Sequence, residues 1–229
     1  SEMCIRDSDK FRILHNGGGT QLQVDPNNVG PNVSYLLATI DGTERLRITS
    51  GGQILSGIAT ARDNLANNAS GVEAQFQIEG TSFTSSTLSV IRNSDDANDG
   101  GIILGKTRST STYGNAAVVA GDDLGDLIFA GSDGTSLQFG AEIRAEVHSG
   151  VGNDDRPTDL LFKTNGGTTS TTERLRITSD GQIGINKTSP KAWNTSYTSL
   201  QIQDAGYIVG STDDSFVAIG ANNYLDTGG

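Results

Sequence analysis

The sequence predicts an all-β protein of antiparallel meander or sandwich-like modules in tandem, and three observations carry that prediction. The phrase TERLRITSGGQI, Thr43 to Ile54, returns as TERLRITSDGQI, Thr172 to Ile183, and the two copies differ only at Gly51 against Asp180. In AEIRAEVH, Ala141, Ile143, Ala145 and Val147 alternate with Glu142, Arg144, Glu146 and His148, the period of a half-buried strand. Of 229 residues 30 are glycine and only 6% are aromatic, so the chain can fill thin layers of Ile, Val, Leu and Ala but not a thick core.

Taken in order, MCIRDS (Met3 to Ser8) reads as a translated sequencing-adapter end, ATG TGT ATA AGA GAC AGN, and residues 1–8 are set aside from the fold. On that reading the chain is an environmental fragment, and NNYLDTGG at its end reads as a cut. Residues 9–59 are expected to close a preceding β module. The next, over 60–188, is expected to be complete, and 189–229 to begin a further one. Glu44 and Glu173 stand 129 positions apart, too far for a solenoid coil and suited to tandem modules. The likeness continues outward: LLATIDGTERLRI from Leu36 parallels LLFKTNGGTTSTTERLRI from Leu160, and QFQIEG (Gln75 to Gly80) parallels SLQIQD (Ser199 to Asp204). GDLIFAG and DLLFKT are further short β runs bounded by turn chemistry, GSDG and SGVGNDDRP. At most one short helix is expected, in TARDNLANNASGVEAQ from Thr60, where amphipathicity is weak.

Register explains where the repeated phrase varies. A two-residue loop would put Ile177 and Ile183 on opposite faces. A three-residue loop, Ser179-Asp180-Gly181, sets Ile177 opposite Ile183 and Leu175 opposite Ile185, all on one face. Such loops end on a residue of positive φ, the role predicted for Gly181 and Gly52, while the middle position tolerates Asp or Gly. In the first copy Leu46 would face Ser56. Leu46, Ile48, Leu175 and Ile177 are expected to be buried, and Arg45, Arg47, Arg174 and Arg176 mostly exposed.

AGDDLGDLIFAGSDG (Ala120 to Gly134), AEIRAEV (Ala141 to Val147), LLFKT (Leu160 to Thr164) and TERLRITSDGQIGINKTSP (Thr172 to Pro190) together resemble the repeated shaft modules of tailed-bacteriophage tail fibres, especially marine metagenomic ones. In that family an ERMRI-SxGxVGIGTTSP phrase closes a β-rich module, often upstream of an endosialidase-type intramolecular chaperone. The match is good over 120–190, partial over 36–55 and loose elsewhere. It departs at Asn186-Lys187, where the family has Gly-Thr, and no chaperone segment is seen. The resemblance implies an elongated homotrimer in the virion tail, bound to other tail proteins and holding host-recognition elements, for a surface glycan or receptor, outside this stretch. Small residues such as Ala141 and Ala145 on an apolar face suit a slim interior shared among chains.

Composition narrows the function classes. Asp and Glu number 27 against 16 Lys and Arg, net charge −11, and no basic face is visible to neutralise phosphates, so no nucleic-acid partner is expected. No run approaches the roughly 18 apolar residues of a membrane span, so no membrane insertion is expected. One cysteine, Cys4, allows no intrachain disulfide.

Several residues are candidate sites. Asp122, Asp123 and Asp126 could form the paired carboxyls of a capsule-degrading tailspike, against the commoner turn-forming aspartate. NSDDANDGG (Asn93 to Gly101) and GNDDRP (Gly152 to Pro157) offer oxygens for Ca²⁺ but fit neither the EF-hand loop nor the repeated Gly-rich nonapeptide, and read as plain polar loops. His148, Glu146 and Glu142 share a strand face and could hold a metal, though such neighbours usually face water. TNGGTT and HNGGGT lack a phosphate loop's Lys-Ser/Thr. Trp193 and Tyr197 could stack on a sugar, but a single Trp after Pro190 more often packs a module junction. The sequence therefore assigns no catalytic, cofactor-binding or metal site and no cofactor. The expected function is a non-enzymatic fibre shaft, with a bacterial surface adhesin module and a polysaccharide-degrading tailspike fragment as alternatives.

Overall fold

Short alternating runs, cut by glycine, aspartate and serine, favour strands joined by tight turns. A computed structural model describes residues 11–16, 19–24, 35–65, 73–149, 152, 154–190, 197–203, 206–211 and 217–221. Among these the strands are β1 (Phe11–Asn16), β2 (Gly19–Val24), β3 (Leu36–Ile40), β4 (Thr43–Ile48), β5 (Ile54–Ser56), β6 (Phe76–Ile78) and β7 (Asp123–Ser132). They continue with β8 (Leu137–Val147), β9 (Thr158–Asn165), β10 (Thr171–Ile177), β11 (Ile183–Ile185), β12 (Tyr197–Ile202), β13 (Gly206–Ser211) and β14 (Val217–Ala221). The one helical turn described is a 3-10 turn at Phe83–Ser85, capped by Ser82. The expected short helix has no counterpart in the described parts of 60–75; residues 66–72 lie outside the described residues, as do the adapter-like segment with Cys4 and Trp193.

The chain divides into two compact units, Ser1–Leu65 with Ala69–Asn98, and Ala66–Asn68 with Asp99–Gly229. The first holds the β1-β2 hairpin and a four-stranded sheet, β3-β4-β5-β6; the second holds one eight-stranded sheet in the order β14-β13-β12-β11-β10-β9-β8-β7. The fold is all-β as expected, but the sheets are mixed rather than purely antiparallel. β5 pairs parallel with β6 and β11 parallel with β12. In each case a long connection returns the chain to the end from which it started.

The repeated phrase folds as its register requires. Leu175 lies opposite Ile185 and Ile177 opposite Ile183, and Leu46 opposite Ser56 and Ile48 opposite Ile54. Thr178 N–H donates to Gln182 O at 2.9 Å and Gly181 N–H to Thr178 O at 2.9 Å; the first copy repeats both with Thr49, Gln53 and Gly52. Gly181 has φ +83° and Gly52 φ +82°. The likeness reaches further than the phrase: Phe76, Gln77 and Ile78 pair with β5 as Leu200, Gln201 and Ile202 pair with β11. Where the sequence has Asn186 in place of the family's glycine, the backbone keeps the left-handed turn, φ +48°, that Gly57 makes in the first copy at +82°. Asparagine adopts that region more readily than other side chains, so the departure leaves the turn intact.

Burial differs from the expected extent. Leu46 is 42% exposed, Ile48, Leu175 and Ile177 are only half-buried, and Arg47 and Arg176 are half-buried rather than exposed; Arg45 and Arg174 are exposed as expected. The apolar side chains keep their expected face, which the described residues leave partly open, while the arginines share the opposite face with their glutamates because of a β-bulge in each copy, at Glu173/Leu175 and opposite Ala38/Thr39, which inserts one extra residue, Arg174 or Arg45. Strict alternation would put residues i and i+3 on opposite faces, and the bulge brings them to one. Arg47 thereby grips Glu44 at 2.6 and 2.7 Å, and Arg176 grips Glu173 at 3.0 and 2.8 Å.

Candidate functional site: two faces of one sheet

The two faces of the eight-stranded sheet have opposite chemistry. On one, residues directly opposite each other form two apolar rows. The first runs Leu127, Ile143, Phe162, Leu175, Ile185, Ile202 across β7 to β12. The second runs Gly125, Ala145, Leu160, Ile177, Ile183, Leu200, Ile208, Ile219 across all eight strands. At a strand spacing of ~4.8 Å the second row extends for roughly 34 Å. Apart from Gly125, beside which Leu104 lies, the described residues leave the two rows partly open: Leu127 is 53% and the neighbouring Phe129 57% exposed, Leu160, Ile185, Ile202, Ile208 and Ile219 are exposed as well, and Ile143, Phe162, Leu175, Ile177, Ile183 and Leu200 are half-buried. Soluble monomers rarely leave a continuous apolar band of this kind open to water.

The polar face, expected to be solvated, is the better covered one. Glu142 is 4% exposed and Asp159 0%. Lys163 Nζ reaches Glu142 at 3.2 Å, Thr171 Oγ1 donates to it, and Arg144 Nη2 bonds it at 3.1 Å while its Nε holds Asp126 at 2.7 Å. A second cluster centres on Asp159, which accepts from Arg176 Nη1 at 2.6 Å and Ser179 N–H at 2.8 Å, with His148 Nδ1 at 2.9 Å. Burial alone would raise the Asp159 pKa; the His148, Arg176 and Ser179 bonds outweigh it and hold the carboxyl below its ordinary value. Between the clusters Leu161, opposite Arg144 on one side and Arg176 on the other, is 3% exposed. Sequence reasoning missed this ladder. Its signal was present in the alternating signs of Glu142, Arg144 and Glu146 set against Asp159 and Lys163 in the next strand.

The candidate acid/base aspartates are dispersed into ion pairs. Asp122 is buried and bound by Lys106 Nζ at 2.7 Å and Arg108 at 2.7 and 2.9 Å, and it accepts from Val119 N–H at 3.0 Å. Arg108 first, then Lys106 and Val119 N–H, hold its carboxyl well below the usual range, the opposite of what a general acid needs. Asp123 and Asp126 both bind Arg144, at 2.7 Å each. His148 bonds Asp159 rather than joining Glu142 or Glu146 around a metal. Among the described residues no group of three His, Cys, Asp or Glu side chains is placed to hold a metal ion. In the first Asp/Asn-rich loop Asp96 accepts from Arg92 at 2.6 Å and Asn98 N–H at 2.9 Å; in the second, Arg156 donates to Gly152 O at 2.7 Å and Asp155 O at 2.8 Å. The side chain of Tyr197 lies outside the described residues.

No family model matches this sequence, and no curated protein matches it. Among solved structures, the chain is similar to the carboxy-terminal domain of the bacteriophage T5 L-shaped tail fibre, with a TM-score of 0.53 at 13% identity over 82% of this chain and 83% of that one. It is likewise similar to that domain with its intra-molecular chaperone domain, with a TM-score of 0.53 at 13% identity over 80% of this chain and 54% of that one. At this identity the likeness is one of fold.

Proposed function

We propose that this chain is a structural segment of a tailed-phage fibre shaft, a homotrimer in the virion tail that carries host-recognition elements supplied by other parts of the fibre. The observation that carries the proposal is the partly uncovered apolar band across β7 to β14, whose cover no described residue completes. Three copies facing inward would give each band a partner and create the shared core that a chain so poor in aromatics lacks. The fold likeness to a phage tail-fibre domain supports the same reading. So does the resemblance of the repeated phrase to fibre shaft modules, on which residues 9–59, 60–188 and 189–229 are the end of one module, a whole module and the start of a third.

The role is mechanical, with no catalysis by this segment. The aspartates that could have served as acid and base are neutralised by Lys106, Arg108 and Arg144. The ion-pair ladder stiffens the outer face while the apolar face assembles. The test uses the full chain followed by a removable trimerising domain, examined by sedimentation after that domain is cut away. A persisting trimer that Ile177→Asp converts to monomer is the expected result. A wild-type monomer that melts cooperatively at low concentration overturns the proposal.

A further inference from the structure

The apolar band leaves one neighbouring feature unexplained. Residues 100–105, Gly-Gly-Ile-Ile-Leu-Gly, form an uncharged run outside any strand, with Ile102 65%, Ile103 95% and Leu104 51% exposed. Among the described residues, no backbone group of residues 99–107 bonds to another backbone group. A stretch this apolar leaves three adjacent aliphatic side chains in water.

The run is nevertheless held in place at its C-terminal end. Lys106 and Arg108 both bind the buried Asp122, and Arg108 N–H donates to Ala116 O at 3.1 Å. Its last apolar residue meets the band directly: a Cβ placed on Gly125 would lie 2.6 Å from Leu104 Cβ. Gly125 is the β7 position opposite Ala145, the point in the second row without a side chain, and Leu104 fills that vacancy. The run thus joins the apolar face at the edge strand where the band begins. Ile103, the adjacent residue, is 95% exposed and has no described residue over it.

We propose that Ile102 and Ile103 pack on the apolar sheet face of a second copy of this chain, each copy laying the run across its neighbour. The inference deepens the trimer reading and rests on it. A second copy is the occupant that the chemistry selects, because it presents an uncharged apolar band matching an uncharged apolar run. A run-to-face contact is also heterologous, and such contacts close into a ring under threefold symmetry.

The test is photo-crosslinking of the full chain carrying a C-terminal trimerising domain, with p-benzoylphenylalanine at position 103 and assembly from mixed ¹⁴N- and ¹⁵N-labelled chains. Mixed-isotope adducts between position 103 and peptides containing Ile143, Leu160 or Ile177 are expected. Adducts within one chain only, adducts to the polar face, or none, overturn the proposal. A second measurement separates it from the trimer reading. After removal of the trimerising domain, Ile103→Asp should raise the trimer's dissociation constant at least about tenfold. If the wild type stays trimeric and Ile103→Asp shifts dissociation less than about twofold, the run does not dock and the trimer reading stands. If the wild type falls to monomer, both fail together.

Discussion

Arg176→Ala offers the sharpest test of the covered polar face. The side chain is 12% exposed and makes four charge-assisted contacts: Glu173 at 3.0 and 2.8 Å, Asp159 at 2.6 Å and Glu146 at 3.2 Å. Truncation leaves Asp159, fully buried, with only His148 and Ser179 N–H, and removes the shared counter-charge of Glu146 and Glu173. Removing one member of a buried ion pair typically costs about 3–5 kcal/mol. Glu146, 26% exposed, can be rehydrated, which favours the lower end, ~3 kcal/mol. Urea unfolding followed by far-UV circular dichroism at fixed protomer concentration measures it, since association shifts apparent stability. Adding Asp159→Asn should recover part of the loss by removing the stranded charge. The pH dependence follows with a definite sign. The folded pKa of Asp159 is depressed, so its contribution is complete above the unfolded value near ~4 and disappears as pH falls through the lower folded value. Arg176→Ala should therefore flatten the acid limb of the stability profile. A loss below about 1 kcal/mol, the range of exposed pairs, would refute the reasoning.

The hairpin turn should tolerate Asp180→Gly to within about 0.5 kcal/mol, whereas Gly181→Ala, at φ +83°, should cost about 1–2 kcal/mol in the same urea assay. At Asn186, φ +48°, substitution by Gly should be neutral or stabilising by a few tenths of a kcal/mol, and by Val destabilising by more than about 1 kcal/mol; thermal melts of the pair check the sign. The Asp122 carboxyl, held down by Arg108, Lys106 and Val119 N–H, should remain ionised at pH 3 in a ¹³C NMR titration, and ordinary titration near pH 4 would show those bonds do not form in solution.

Much of the local structure was legible because its causes are local. Period-two alternation marks AEIRAEVH as a strand, and the positive φ demanded at Gly52 and Gly181 fixes a three-residue loop, which in turn fixes Ile177 opposite Ile183. The pairing of Phe76–Ile78 and Leu200–Ile202 with their neighbours could be matched between copies, although its parallel sense depends on where a long connection returns. The bulges at Arg45 and Arg174 left no mark in the alternation. They decide that Arg47 and Arg176 share the face of Glu44 and Glu173, so Arg176, expected to be solvated, is the centre of the Asp159 cluster and Arg47 is half-buried against Glu44.

The candidate surface divides in the same way. An alternating strand states that it has an apolar face and a polar one, and the sequence by itself determined that much, together with the turns and the repeat. It could not state which face would be covered. That depends on Arg176 meeting Asp159 and Arg144 meeting Asp126 across neighbouring strands, and on Leu104 resting over Gly125 more than twenty residues downstream. Such contacts depend on the relative placement of separate segments, so only the tertiary structure fixes them. It closed the charged face with paired groups and left the aliphatic face partly uncovered by the described residues.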